Sequence, residues 1–174
     1  MKYLVMCEGN NELQIMNILL DNQLLKFTKD DLVDLKIHWA RQLKYLELNL
    51  LLLNQPVTIL RIGDKMTDKL KIPSSVAHIV TKENIYKFCT LPEFEILLII
   101  NEGLYEKYKK IGKKPKTFAK DNIVYNGIRY DQTFEFINKY YGERPDLLVD
   151  NIRKYKQKNK NHAKNEYYIA DLLK

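Results

Sequence analysis

An α/β domain built on a mostly parallel sheet flanked by helices, with a helical and basic C-terminal part, is the fold this sequence predicts. Two observations carry the expectation. In the first half, apolar runs of strand length alternate with segments whose apolar residues recur every three or four positions, and that alternation generates parallel sheets. In the second half the strand-like runs cease and lysines accumulate between short helical patterns. The 174 residues suit one domain with a sizeable core. The boundaries drawn are an α/β core over residues 1–110 and a basic helical extension over 111–174, packed on the same domain.

Lys2–Cys7 (KYLVMC) is a continuous apolar run, as expected of a central strand buried on both faces. Gly9 permits a tight turn, Asn10 and Asn11 suit a helix start, and Leu13, Ile15, Met16, Leu19 and Leu20 have helical spacing. Thr28 with Asp31 resembles a capping box. The stripe Leu32, Leu35, Trp39, Leu43, Leu46, Leu50 and Leu53 then predicts a second helix ending before Asn54 and Pro56. Within it, LVDLKIHW also reads as a short strand. Val57–Ile62 (VTILRI) is β-branched and predicts a second central strand, closed by Gly63-Asp64. Val76–Val80 (VAHIV) is the candidate third. Pro92 opens a helix expected from Glu93 to about Lys110, acidic early and basic late, and Gly112 with Pro115 ends it. Short helices are expected at Lys116–Asp121, Asp131–Tyr141, Asp146–Lys156 and Glu166–Leu173.

The apolar share of 45%, with 12 tyrosines but only 6 glycines and 5 prolines, excludes a disordered or low-complexity chain. Cys7 and Cys89 are too few for a disulfide framework and show no metal-binding spacing. The longest apolar stretches, near Leu48–Leu53 and Ile96–Ile100, fall short of the roughly 18–20 residues a membrane helix needs. The N-terminal apolar run is too short for a signal peptide, so a cytoplasmic location is expected.

The net charge of +7 is unevenly spread. Lys107–Lys120 holds seven lysines and no acid, and Arg153–Lys164 adds six Lys or Arg. Such runs suit a surface that neutralises phosphates, with Lys109, Lys110, Lys113, Lys114, Lys116, Arg153 and Lys154 as candidates. A solvated face in a lysine-rich chain is the plainer alternative.

Acids stand at three strand ends or helix starts: Glu8-Gly9 with Glu12, Asp64 with Asp68, and Glu93 with Glu95 in PEFE. In a parallel sheet ligands gather at the carboxyl ends of strands, so Glu8 and Asp64 would share that edge if their strands are neighbours. Carboxylates converging there suit Mg²⁺ or Mn²⁺, and without a histidine or cysteine among them zinc is disfavoured. Each acid also has a purely structural reading, as a cap, a turn residue or a first-turn acid favoured by the helix dipole.

The segment YLVMCEGNNELQIMNILL resembles the opening of Toprim domains, found in topoisomerases, primases and OLD-type nucleases. In that family a hydrophobic strand ends in Glu-Gly, and the glutamate serves as metal ligand or general acid/base. The resemblance implies that role for Glu8, with Glu12 as the second acid typical of the OLD-like branch. The family's later Asp-x-Asp falls on ILRIGDKMTD, which makes Asp64 the carried-over catalytic ligand, with Met66 where the second acid belongs. PEFE corresponds to a Pro-x-x-Glu of small relatives and implies Glu95 as a further ligand. The match covers roughly residues 1–100.

The resemblance implies a small Mg²⁺- or Mn²⁺-dependent nuclease, of a kind associated with phage defence or mobile elements. Arg61, Lys65 and Lys69 would hold the scissile phosphate, the lysine runs would track the backbone, and Tyr125, Tyr130, Tyr140 and Tyr141 would either stack on bases or fill a helical core. Two alternatives stay open. One is a catalytically degenerate binding protein that binds nucleic acid or inhibits a partner protein. The other is a structural subunit of a larger complex, in which the acids organise loops only; the 32–53 stripe could also pack against a second copy. Topoisomerase and full primase activities need more chain than is present.

Overall fold

The computed structural model describes residues 2–53, 55–63, 69–89, 94–158 and 166–174. Strand β1 (Lys2–Cys7) leads through Glu8-Gly9 into helix α1 (Asn10–Asp21). Two-residue strand β2 (His38–Trp39), short helix α2 (Glu47–Leu51) and strand β3 (Val57–Gly63) follow, then strand β4 (Ile85–Cys89). The four strands form one parallel sheet in the order β2-β1-β3-β4. Its centre is β1 against β3, with Lys2 opposite Val57 and Cys7 opposite Ile62. Every residue of β3 is buried, the polar Thr58 and Arg61 included, which accounts for its mostly apolar character.

Strand alternation divides the core into two layers. On one face Leu4 and Met6 with Val57 and Ile59 pack against Val33, Leu43, Leu46, Leu50, Val76, Ile79 and Val80. On the other, Val5, Cys7, Leu60 and Ile62 meet the buried side of α1 and the helices of the second half. Those helices are α3 (Glu95–Asn101), α4 (Tyr105–Ile111), α5 (Pro115–Asn122), α6 (Phe134–Ile137) and α7 (Pro145–Lys158), with a π-helical turn (Asn138–Gly142) continuing α6. Phe118, Tyr130, Phe136, Tyr140, Tyr141, Leu148 and Ile152 belong to the same core as Val5 and Ile62, so the lysine-rich half closes one face of the sheet. Among the described residues no helix is long and apolar enough to cross a membrane.

Several expectations are corrected. The 28–53 stripe is not one helix. The Thr28–Asp31 capping box forms, with Thr28 N–H donating to Asp31 Oδ2 at 2.8 Å, but it caps a single 3-10 turn. Asp34 and Leu35 then take positive φ (54° and 57°), which ends helical geometry, and His38–Trp39 pairs with Met6 and Cys7 as the sheet's edge. The strand expected at Val76–Val80 is a 3-10 turn followed by a loop that floors the sheet, and the third long strand is Ile85–Cys89. The helix expected over 93–110 is divided at Gly103 (φ 68°) into α3 and α4. Asn126-Gly127, both at positive φ, turn an unexpected hairpin between β5 (Val124–Tyr125) and β6 (Ile128–Arg129), the backbone geometry that Asn-Gly favours. The expected 166–173 helix is instead an extended Tyr167 joined to β4, then a 3-10 turn (Ile169–Leu172).

Two stability tests follow. Nothing lies within 4 Å of where a Cβ at Gly103 would sit, so Gly103→Ala carries only the left-handed backbone cost. It should lower unfolding free energy by about 1–2 kcal/mol, and Gly103→Asn by less, in urea titrations. Burial holds the His38 imidazole below its ordinary 6.5, against the opposing pull of the Val33 carbonyl and of Asp34. Its neutral form is therefore favoured on folding. As pH falls through 6.5 the unfolded chain takes up a proton that the folded chain resists, so stability drops. Unfolding midpoints measured across that range should decline, and His38→Gln should flatten the decline.

Candidate functional site at the carboxyl edge

The parallel register brings the ends of β1, β3 and β4 to one edge, and Glu8 is the first residue beyond β1. Its N–H donates to the Ile62 carbonyl at 3.0 Å, extending the ladder one step past the strand. Its carboxylate Oε1 accepts from Arg61 Nη2 at 2.8 Å, and both side chains are buried, at 9% and 3% exposure. Arg61 lies opposite Met6 in the ladder and so projects onto the same face as Leu4 and Met6. Gly63 makes room for the pair. A Cβ there would stand 2.6 Å from the Glu8 carboxyl carbon, so any larger residue pushes on a carboxylate that Arg61 holds in place. The Glu8 carbonyl is engaged from the edge strand, by Trp39 Nε1–H at 3.3 Å and Arg41 Nε–H at 3.4 Å.

Glu12 leaves the edge on the other side. It sits in the first turn of α1, folds back over Gly9, and lines a cavity of about 30 Å³ with Ile15, Phe94, Leu97 and Ile152, all members of the opposite core layer. That volume holds a water or two and no cofactor. Glu95 opens α3 and is buried. Its Oε1 accepts from Tyr130 Oη at 2.8 Å and Gln132 Nε2 at 3.2 Å. Tyr130 also bonds the Asn11 side chain, and burial with the nearby Glu95 charge pushes its phenol well above the ordinary value. Cys7 is likewise pushed up, by burial and then by the charges of Glu12 and Glu8, so its thiol stays protonated and is no nucleophile.

Of the predicted acidic stations, the described residues place Glu8, Glu12 and Glu95. Among the described residues, no three Asp, Glu, His or Cys side chains form a group able to hold a metal ion. The described donors do not by themselves fit a Mg²⁺ or Mn²⁺ centre: Glu8 pairs with Arg61 on one face, while Glu12 and Glu95 serve the other. Asp64, Lys65, Asp68 and Glu93 lie outside the described residues.

The basic candidates divide in the same way. Arg61 is buried against Glu8 rather than on a surface, whereas Lys69, Lys109, Lys110, Lys113, Lys114, Lys116, Arg153 and Lys154 are exposed. Lys113 pairs with Asp121 at 2.8 Å, and Arg153 donates to the Lys174 carbonyl at 3.1 Å. Lys109 and Lys158 both lie over the Tyr105 ring, 5.8 and 5.0 Å from its centroid, which joins the two lysine runs in space. Tyr130, Tyr140 and Tyr141 are fully buried and fill the core, so they are unavailable for stacking; Tyr125 packs edge-on to Tyr140 beneath Arg144. Sequence reasoning missed Trp39 and Arg41 as neighbours of Glu8, although a lone tryptophan two residues before an arginine was the available signal.

Comparison with protein-family models, curated proteins and solved structures finds no match to this chain. The Toprim resemblance thus stands on the chain's own residues.

The buried ion pair sets an expectation. Glu8→Ala removes the carboxylate facing a buried guanidinium and should destabilise the fold by about 3–5 kcal/mol. Glu8→Gln keeps an acceptor for Arg61 and should cost about 1–3 kcal/mol. Urea unfolding of the two variants beside Arg61→Met measures the difference.

Proposed function

We propose that this chain is a metal-dependent, nuclease-like protein of the cytoplasm, acting on phosphodiesters of nucleic acid at the carboxyl edge between β1 and β3. The observation that carries the reading is the parallel pairing of these strands, with Cys7 opposite Ile62, because it sets Glu8 beside the strand end whose next residue in sequence is Asp64. Phage defence or a mobile element is the setting the Toprim resemblance suggests.

In this reading Glu8 and Asp64 are the catalytic carboxylates. Glu12 and Glu95, on the opposite face, orient α1 and α3 around the edge. A divalent cation held with the help of Asp64 would supply Lewis-acid polarisation of the phosphodiester and activation of water. Arg61 holds the Glu8 carboxylate in place at the edge. Lys65 and Lys69 neutralise the flanking phosphates, and the joined lysine runs around Tyr105 extend the path for the strand.

A second reading has its own observation. The Glu8–Arg61 pair is charge-neutral and buried, and Met66 replaces the second acid of the family motif; both suit a protein that binds nucleic acid, or a partner protein, without cutting.

Labelled single- and double-stranded DNA and RNA, incubated with Mg²⁺, Mn²⁺ or EDTA, separate the two. Metal-dependent cleavage that disappears in Asp64→Asn and in folded Glu8→Gln supports the nuclease. Binding without cleavage under any metal, weakening steeply as salt rises, supports the binder and sinks the nuclease. For about 6–10 neutralised phosphates, affinity should fall by roughly 10³–10⁵ between 50 and 200 mM salt.

A further inference from the structure

We infer that Trp39 is a stacking platform for an unpaired base, so that the strand engaged at the carboxyl edge is single-stranded at that point. This rests on the reading of the edge as a nucleic-acid site and names its substrate form. Trp39 ends the edge strand β2, in register with Cys7 and one step from Glu8. Its indole is 66% exposed, yet its N–H is tied to the Glu8 carbonyl at 3.3 Å. An exposed aromatic ring held by its own polar atom is pre-oriented, and an incoming base does not have to order it first.

Arg41 is anchored on the same carbonyl as that ring, through its Nε–H, and is exposed. Gln42, next in the chain, accepts from the Lys71 N–H at 3.4 Å, which ties the exposed Lys71 to the residue after Arg41. A flat π-face and a cation anchored on one carbonyl at an acidic edge match a nucleotide in both parts, base on the ring and phosphate on the cation. Every base has a π-face, so the contact is indifferent to sequence but needs the base unpaired. The exposed leucines of the same segment, Leu48 and Leu52, lie on and just beyond α2, away from these cations in sequence, and offer nothing for a phosphate.

Trp39 is the one tryptophan of the chain, so its fluorescence reads the platform directly. The full chain in EDTA is titrated with oligothymidylate or oligouridylate of about 12 nucleotides, and with the matching duplexes. Saturable quenching by the single strands, at least about tenfold tighter than by duplex, is expected. By anisotropy of labelled oligonucleotide, Trp39→Ala should weaken single-strand binding about 5- to 150-fold, with partial rescue by Trp39→Phe. Equal single-strand affinity in Trp39→Ala, equal quenching by duplex, or an emission shift that follows protein concentration instead of oligonucleotide would overturn the inference; the last would mark a contact between copies. The two proposals fail separately. Trp39→Ala losing single-strand binding in a chain that never cleaves removes the nuclease and leaves the platform, and a variant that binds and cleaves normally does the reverse.

Discussion

A carboxylate and a guanidinium buried side by side form the constraint around which the edge of this molecule is arranged. Removing both charges from water costs several kcal/mol for each ion before their attraction is counted, so the pair persists only where geometry is tightly held. Glu8 and Arg61 sit on adjacent strands, and their meeting requires that β1 and β3 run parallel in one register. It requires a residue without a side chain at 63, and a strand end at Cys7 that lets Glu8 turn back onto the sheet. A slip of one residue between β1 and β3 would turn every side chain of one strand to the other face and separate the two charges. The hydrophobic layers supply most of the stability, but the ion pair makes this register different from its neighbours.

The same alternation explains why the acids do not simply converge. Residues 4, 6 and 8 address one face, and α1 lies on the other, so Glu8 and Glu12 leave a common edge in different directions. Glu95 is drawn to α1 through Tyr130 and Asn11, which knits α3 to α1 across the layer of helices. The edge thus has an inner, satisfied side and an outer side on which Trp39 and Arg41 lie.

Much of this was legible in the sequence and some was not. β1 and β3 announce themselves because strands buried on both faces are mostly apolar, and α1 because one face is. β4 hid behind Tyr86 and Lys87, which interrupt its apolar run while the strand borders on a segment containing Tyr167. VAHIV misled for the opposite reason: its Val76, Ile79 and Val80 are buried beneath the sheet, but it forms no strand of it. Leu32, Leu43, Leu46 and Leu50 do face a core, yet the spacing cannot show that Asp34 and Leu35 adopt left-handed backbone and turn the chain into an edge strand. At the site, Glu8 was visible as the acid after a strand. Its partnership with Arg61 depends on register, which has no local signature, and Arg61 was read as a phosphate contact on charge alone.

The last described segment carries a consequence for biosynthesis. Tyr167 bonds to both Lys87 and Cys89 along the open side of β4, while Leu172 and Lys174 bond to Lys26 and Leu24 just after α1. Residues 167–174 therefore extend a ladder begun at β4 and fasten the turn that follows α1. While the chain is still being translated, β4 presents an unpaired edge, an invitation to pair with other chains. Folding can finish only after residues 166–174 clear the ribosome, and contacts across so long a span close slowly.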